Sequence, residues 1–468
     1  MIRFVANVFW FLSCLPNALA FWGALFSPQS AQRGVARRQR NAKPRDREIL
    51  FHEPTSGSTG GTKLIPYTRL LRAEFRRGIN PWIYSLFLHH PRLFFGTHYW
   101  SISPSTRTSD DEGAFADDRE YLGFSQRLLT RALFAVPSEV REISDPDTHA
   151  TVTLLYLLSD RRLGLISVWH PSLLLILMRH GIEHRNAICD AMTTGQWPGI
   201  AKRKPPNLKR AEEVWHALAQ GEGGFQTLWP RLALISCWDQ ARARGDAEKL
   251  RALFPRATVQ GKGLLATEGI VTIPWQGRLT AALRSHVLHF RHYPDGARDV
   301  PLHEIKTDSE YAVLLTTGNG FERYPLGDIV RCTGFVRKTP CFDFVSRAGG
   351  VVDLRGEKLH AEHVEAALRR MEGRVGAFAF AMLAPNATQD GYVLFWEAED
   401  GNDPAEALEA ELQKNFHYRH ARNLAQLQAV RAEFVSNAME KWRAFCVARG
   451  MKEGAVKNPS LYNGTVTL

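Results

Sequence analysis

Apolar positions along the chain fall into runs of two kinds, and run length separates buried strands from helices. Residues 69–88 repeat their apolar side chains at helical spacing. Residues 151–158 and 163–169 are short and continuously apolar, which predicts two buried strands joined by the turn Ser159-Asp160-Arg161-Arg162. Residues 171–180 open with a proline suited to a first helical turn. Residues 232–237 and 257–265 read as further strands, as do residues 311–317, which run into Gly318-Asn319-Gly320. Then come a helix from Ala361 to about Met371, strands over 376–383 and 392–396, and a helix over 406–415. Alternation of this kind predicts an α/β architecture. A change of character at Arg347-Ala348-Gly349-Gly350 marks the expected hinge between a large domain, 1–346, and a smaller one, 347–468.

The amino terminus has its own pattern. Residues 4–26 are strongly apolar, and Ala18-Leu19-Ala20 mimics a signal-peptide cleavage site. Asn7, Ser13, Pro16 and Asn17 interrupt the run, so two short packed helices around Pro16 are preferred to export or a spanning anchor. Residues 27–50 then form a basic linker or solvated helix, carrying Arg33, Arg37, Arg38, Arg40, Lys43 and Arg45.

Composition changes this picture little. The chain, 468 residues, is longer than one ordinary core, which agrees with two domains. The net charge of +11 is spread diffusely, and the one dense basic run lacks interleaved aromatics, so nucleic acid is not the expected partner. Six cysteines without a CxxC pair argue against a zinc site or disulfide scaffold and place the protein in a reducing compartment, the cytoplasm.

The candidate chemistry starts at Thr55-Ser56-Gly57-Ser58-Thr59-Gly60-Gly61-Thr62-Lys63. Glycines let backbone N–H groups approach an anion, hydroxyls add donors, and Lys63 supplies a point charge, so the loop can wrap a polyphosphate. It is not the common nucleotide loop, because Thr62 rather than glycine precedes the lysine; a solvated turn is the plain alternative. Ala266-Thr267-Glu268-Gly269 follows a strand, where a glutamate suits a magnesium ligand facing phosphate. Tyr324-Pro325-Leu326-Gly327-Asp328 puts a carboxylate on a rigid turn, a place from which both ribose hydroxyls can be held. Arg347 and Lys358 flank the hinge as cations for ribose or phosphate. His286, His289 and His292 read as strand residues with His289 on the opposite face, which disfavours a metal centre. Asp110-Asp111-Glu112 reads as an exposed acidic loop without chemistry.

These motifs occur in the order seen in adenylate-forming enzymes. More narrowly, Tyr324 to Asp328, Cys332-Thr333-Gly334-Phe335, and Phe342 with Phe344 and Arg347 resemble the auxin-responsive Gretchen Hagen family of acyl acid-amido synthetases, as do Asn415 to Arg419 and Gly454 to Pro459. The resemblance runs from about Leu50 to Tyr462. It implies an adenylate-forming fold, with a large α/β domain including a β-barrel portion and a small mobile α/β domain. It also implies ATP and Mg2+, a carboxylic acid activated as acyl-AMP, and transfer to an amine, typically an amino acid. On that reading Ser56, Gly57, Ser58, Thr59, Gly60, Thr62 and Lys63 hold phosphate, and Glu268 holds the metal. Ala266 and Thr267 lie by the adenylate, Asp328 anchors ribose, Arg347 and Lys358 close from the hinge, and Lys457 assists adenylation. The alternatives are a thioester-forming acyl-CoA ligase, and an inactive relative that binds ligands or associates with a membrane through its amino terminus. Residues 27–53 are shorter than the family's corresponding stretch, and the Thr-Glu turn replaces a serine-rich one.

Overall fold

The computed structural model describes the backbone of residues 2–56, 62–101, 133–240, 243–293, 296–347, 350–398, 402–449 and 459–468, with the side chains of 54–56, 62–63, 347 and 372–374 also outside the description. The chain divides into two compact units, Met1–Glu53 with Ile65–Ser346, and Pro54–Leu64 with Arg347–Leu468.

The first unit opens with α1 (Ile2–Ala24) and α2 (Pro28–Arg40). The expected pair of short helices around Pro16 is one helix that carries Pro16 on its exposed side. Its buried face decides this: Trp10, Cys14 and Phe21 are almost wholly enclosed, and Trp10 meets Phe87, His98 and Trp100 edge-on. Of the two readings of the basic stretch, linker or solvated helix, much of it takes the second in α2, which begins with proline at its first turn and ends in Arg37, Arg38 and Arg40, where the helix dipole favours cations. The hairpin β1 (Ile49–Ser56) and β2 (Thr62–Thr68) leads into α3 (Arg69–His89), whose first turn is capped by the Thr68 hydroxyl accepting from Leu71 N at 3.1 Å.

A parallel sheet follows: β3 (Thr97–Trp100), then β4 (Leu163–Ser167) after α4 (Pro146–Ser159), then β5 (Leu234–Cys237) and β6 (Thr258–Gly261), in the order β3-β4-β5-β6. The crossover from β4 to β5 runs through α5 (Pro171–Glu183), α6 (Arg185–Thr194) and α7 (Leu208–Ala219), and that from β5 to β6 through α8 (Arg244–Leu253). Leu165 and Leu234 enter one hydrophobic cluster while Ile166 and Ile235 enter another. The sheet is therefore covered on both faces, which is why its strands lack polar alternation. Residues 151–158, expected as a strand, form most of α4. Six of those eight residues are buried, so no polar stripe marks the helix. The helical signal lay just upstream, where the Asp145 carboxylate accepts from Thr148 N at 2.9 Å and Pro146 opens the first turn.

Two short strands, β7 (Leu265–Ala266) and β8 (Gly269–Ile270), precede a mainly antiparallel sheet. It comprises β9 (Thr272–Trp275), β10 (Arg278–Ala281), β11 (Val287–His292), β12 (Asp299–Val300), β13 (Glu310–Thr316), β14 (Tyr324–Val336) and β15 (Thr339–Arg347), ordered β12-β11-β13-β14-β15-β10-β9.

The second unit contains a short pair, β16 (Val351–Val352) with β17 (Leu359–His360), then α9 (Ala361–Val375). Its three-stranded sheet is β18 (Phe380–Pro385), β19 (Tyr392–Glu397) and β20 (Arg431–Phe434), antiparallel then parallel. Between β19 and β20 lie α10 (Ala405–Leu412) and α11 (Phe416–Asn423), and α12 (Ala438–Ala448) follows.

One buried group gives the first unit a pH response. His98 Nε2 pairs with Asn7 Oδ1 at 2.8 Å, while Asn7 Nδ2 donates to the carbonyls of Phe94 and Gly96. His98 Nε2 is therefore the donor, and its Nδ1 is buried without a hydrogen-bond partner among the described residues. Burial holds this imidazole down at about 3, with Asp160 opposing weakly. The unfolded chain takes up a proton that the folded chain refuses, so stability is complete above the unfolded value near 6.5 and falls as pH drops toward 3. The expected slope from this one group is at most about 1.4 kcal/mol per pH unit. Unfolding free energies from denaturant titrations between pH 7 and 4 should lose up to about that slope in His98→Gln, which keeps a donor for Asn7 and does not titrate.

Candidate functional site

The carboxyl ends of β4, β5 and β6 gather a mixed aromatic and charged set, at the edge where parallel sheets receive ligands. Trp169 and His170 follow β4, Trp238, Asp239 and Gln240 follow β5, and Lys262 follows β6. The indoles of Trp169 and Trp238 lie 5.8 Å apart, and the buried Lys262 ammonium sits 4.3 Å from the Trp169 ring. Burial pushes the Asp239 carboxyl up, opposed by Arg251 at 3.1 Å. Gln240 Oε1 accepts from Phe344 N at 2.8 Å, tying this edge to β15.

Directly after Lys262 the chain turns into the β7–β8 hairpin. Leu265 pairs with Ile270 and Ala266 with Gly269, which leaves Thr267 and Glu268 as its two-residue tip. Tyr67, at the end of β2, donates its hydroxyl to the Thr267 carbonyl at 2.5 Å. Gly269 has no room for a side chain: a Cβ would stand 2.8 Å from His286 and from Leu315. Glu268 is 6% exposed, and its Oε2 is buried without a hydrogen-bond partner among the described residues. An ionised oxygen so placed is costly unless a cation or donor meets it. A hard cation such as Mg2+, which takes oxygen ligands, fits this atom.

Asp328 is 1% exposed and sits in a bulge, not on the expected turn. Ala312 pairs with Ile329 but Leu314 pairs with Pro325, so β14 carries two extra residues opposite Val313. Gly327 takes the strain at φ +78°, and the bulge re-aims the residue that follows it. Leu264 and Ala266 pack against the hydrophobic cluster that contains Leu326, Val330 and Phe342, so hairpin and bulge bear on one core.

Glu74, on α3 and fully buried, holds the surrounding pieces in register. Its Oε1 accepts from Gln39 Nε2 at 2.9 Å; its Oε2 accepts from Gly318 N at 2.8 Å and meets His286 Nδ1 at 3.0 Å. The Gly318-Asn319-Gly320 turn is further fixed by the Thr68 hydroxyl donating to the Gly318 carbonyl. His286 is thus structural, and His289 instead meets Asp299 at 3.1 Å and Thr316 at 2.9 Å. No metal-binding group of three or more such side chains occurs among the described residues.

In the second unit, Glu357 accepts from Leu354 N and Arg355 N, each at 2.7 Å, and from the Tyr392 hydroxyl. Burial first, and Asp353 second, push its carboxyl up to about 7. This knot folds the loop back and delivers Lys358 at φ +47°.

The structure therefore brings Ala266, Thr267 and Glu268 together and sets Asp328 over the same core, while Arg347 ends β15 and Lys358 follows the Glu357 knot. Gly57, Ser58, Thr59, Gly60 and Lys457 lie outside the described residues, as do the side chains of Ser56, Thr62, Lys63 and Arg347 and the acidic stretch 110–112. Sequence reading missed Tyr67, Glu74, Trp169, Trp238 and Lys262. A tryptophan just past each of two apolar strands was the available signal.

Comparison with known proteins bears on the family and the fold. Residues 46–259, 286–347 and 360–465 match the GH3 family N-terminal, central and C-terminal domains. The chain is 27% identical over 398 residues to a probable indole-3-acetic acid-amido synthetase, GH3.12, of Oryza sativa subsp. japonica, covering 75% of this chain and 59% of that one. It is 33% identical over 112 residues to indole-3-acetic acid-amido synthetase GH3.5 of Arabidopsis thaliana, covering 22% and 18%. The matched stretches thus span less than two thirds of these relatives' own lengths. Among solved structures, GH3.15 acyl acid amido synthetase superposes with a TM-score of 0.58 at 20% identity, covering 92% of this chain and 83% of that one, a likeness of fold. With all three domains matched in order along one α/β chain, the protein belongs to the GH3 family.

Proposed function

We propose that the protein is an ATP-dependent acyl acid-amido synthetase, which activates a carboxylic acid as acyl-AMP and passes the acyl group to an amine, in the first instance an amino acid. The observation that carries this reading is the buried Glu268 oxygen, unpaired among the described residues, at the tip of a hairpin pinned by Tyr67 and Gly269. The names of the relatives supply the reaction class. In the first step an acid oxygen attacks the α-phosphorus of ATP and pyrophosphate leaves. In the second the amine attacks the acyl carbonyl, AMP leaves, and the amine loses a proton to solvent or base.

Positioning and fixed charge do most of such work, because charge spreads over phosphate oxygens while the protein itself makes no covalent bond. Glu268 would hold Mg2+, which when bound neutralises phosphate charge. The loop from Ser56 to Lys63 would cradle phosphate, Thr267 would lie by the adenylate, Asp328 would anchor ribose, and Arg347, Lys358 and Lys457 would add cations. We place the reaction in the cytoplasm, where ATP is plentiful; six free, buried cysteines suit that compartment.

The test is acid-dependent exchange of radiolabelled pyrophosphate into ATP over a broad panel of carboxylic acids, followed by mass analysis after amino acids or coenzyme A are added. Exchange with at least one acid and an amide product are expected. A thioester product would move the assignment to an acyl-CoA ligase. Folded protein that supports no exchange with any acid would remove the ligase reading altogether.

A further inference from the structure

Every exposed residue of α1 is apolar. Ile2, Val5, Phe9, Leu12 and Leu19 fall at alternating steps of three and four, with Pro16 and Gly23 completing the same stripe, and Trp22 stands beside it. Exposure is large where it counts: 74% at Ile2, 57% at Val5, 60% at Leu19 and 50% at Trp22. The stripe continues past the helix end to Phe26, itself exposed and overlain by Arg337. Soluble surfaces rarely leave so long a contiguous apolar strip uncovered, and such strips mark interaction sites.

The opposite face of the same helix is spoken for. Trp10, Cys14 and Phe21 are core residues, and the Asn7 carboxamide is locked to Phe94, Gly96 and His98. By length and composition α1 would pass for a spanning helix. Lipid cannot surround it, however, while about a third of its apolar window, 33%, is buried in protein. Lying along a surface satisfies both faces at once.

Charge identifies which surface. No Asp or Glu occurs before Asp46, whereas Arg33, Arg37, Arg40, Lys43 and Arg45 follow the stripe and are exposed. A helical partner would want charged flanks to fix pairing, and Arg3 is the only charged residue of α1. Aromatic and aliphatic side chains followed by a cationic helix without acids instead suit an interface rich in anionic lipid.

We infer that α1 docks the protein onto an anionic membrane surface, its apolar stripe entering the headgroup boundary and the cations of α2 meeting lipid phosphates. The inference does not depend on the catalytic reading. The test is co-sedimentation of the full chain with vesicles containing phosphatidylglycerol and with vesicles of phosphatidylcholine alone. Wild type should sediment with the anionic vesicles, and raised salt should weaken the binding. The variant Leu12→Ser/Leu19→Ser/Trp22→Ser should bind them at least about tenfold more weakly, with an unchanged thermal midpoint because these side chains are exposed. Three results would overturn the inference: no sedimentation of wild type, binding of the triple variant as tight as wild type, or a wild-type dimer in solution that the triple variant breaks.

Discussion

On the proposed reaction, Glu268→Gln should lower acid-dependent pyrophosphate exchange by about a hundred- to a thousandfold, while the folded protein stays as stable as before or gains stability. The two halves of this expectation come from one atom. Glu268 Oε2 is buried and unpartnered among the described residues, a placement that ordinarily costs about 1–3 kcal/mol. A protein gains nothing structurally from that cost; a metal-assisted reaction does. Glutamine keeps the shape and removes the charge, so the proposed cation ligand is lost and the backbone pins from Tyr67 and Gly269 remain. Denaturant midpoint and exchange rate, measured on the same preparation, separate the outcomes. Loss of both together would make Glu268 a fold residue and remove the proposed metal ligand.

Trp10→Ala destabilises the first unit by about 3–5 kcal/mol, the cost of emptying an enclosed aromatic site. Trp10 is 2% exposed and packs among Phe87, His98, Trp100 and Phe134, which come from α3, β3 and the chain just past residue 132. Leu19→Ser, on the other side of the same helix, should change the denaturant midpoint little, since Leu19 is 60% exposed. Equal effects at the two positions would mean that α1 has no core face. It also follows that deletion of residues 1–26 is a folding experiment, and point changes on the stripe are the means of asking what the exposed face does.

Much of the fold was legible because its signals are local. The strands at 232–237 and 392–396 and the helices starting at Arg69 and Ala361 show as runs of the right length and spacing. Residues 151–158 failed because burial on every side erases periodicity, and only the Asp145-Pro146 start gave the helix away. In the candidate site, the Thr267-Glu268 tip could be picked out because it lies between adjacent short strands. Its support could not: Tyr67 reaches Thr267 across 200 positions, and Glu74 reaches His286 across 212. Asp328 was picked out from its Pro/Gly neighbourhood, read as a rigid turn. The two-residue surplus opposite Val313 that makes it a bulge depends on a pairing partner that no local window contains.

The Glu74 contacts bear on how members of this family can be recombined. Glu74 lies within residues 46–259, matched to the N-terminal domain, whereas His286 and Gly318 lie within residues 286–347, matched to the central domain. One carboxylate therefore stitches two sequence modules together at the backbone and side-chain level. Chimeras cut between those modules inherit half of a buried polar knot unless both donors present a matching acid, imidazole and glycine turn. The modules visible in the sequence are, in three dimensions, a single unit of exchange.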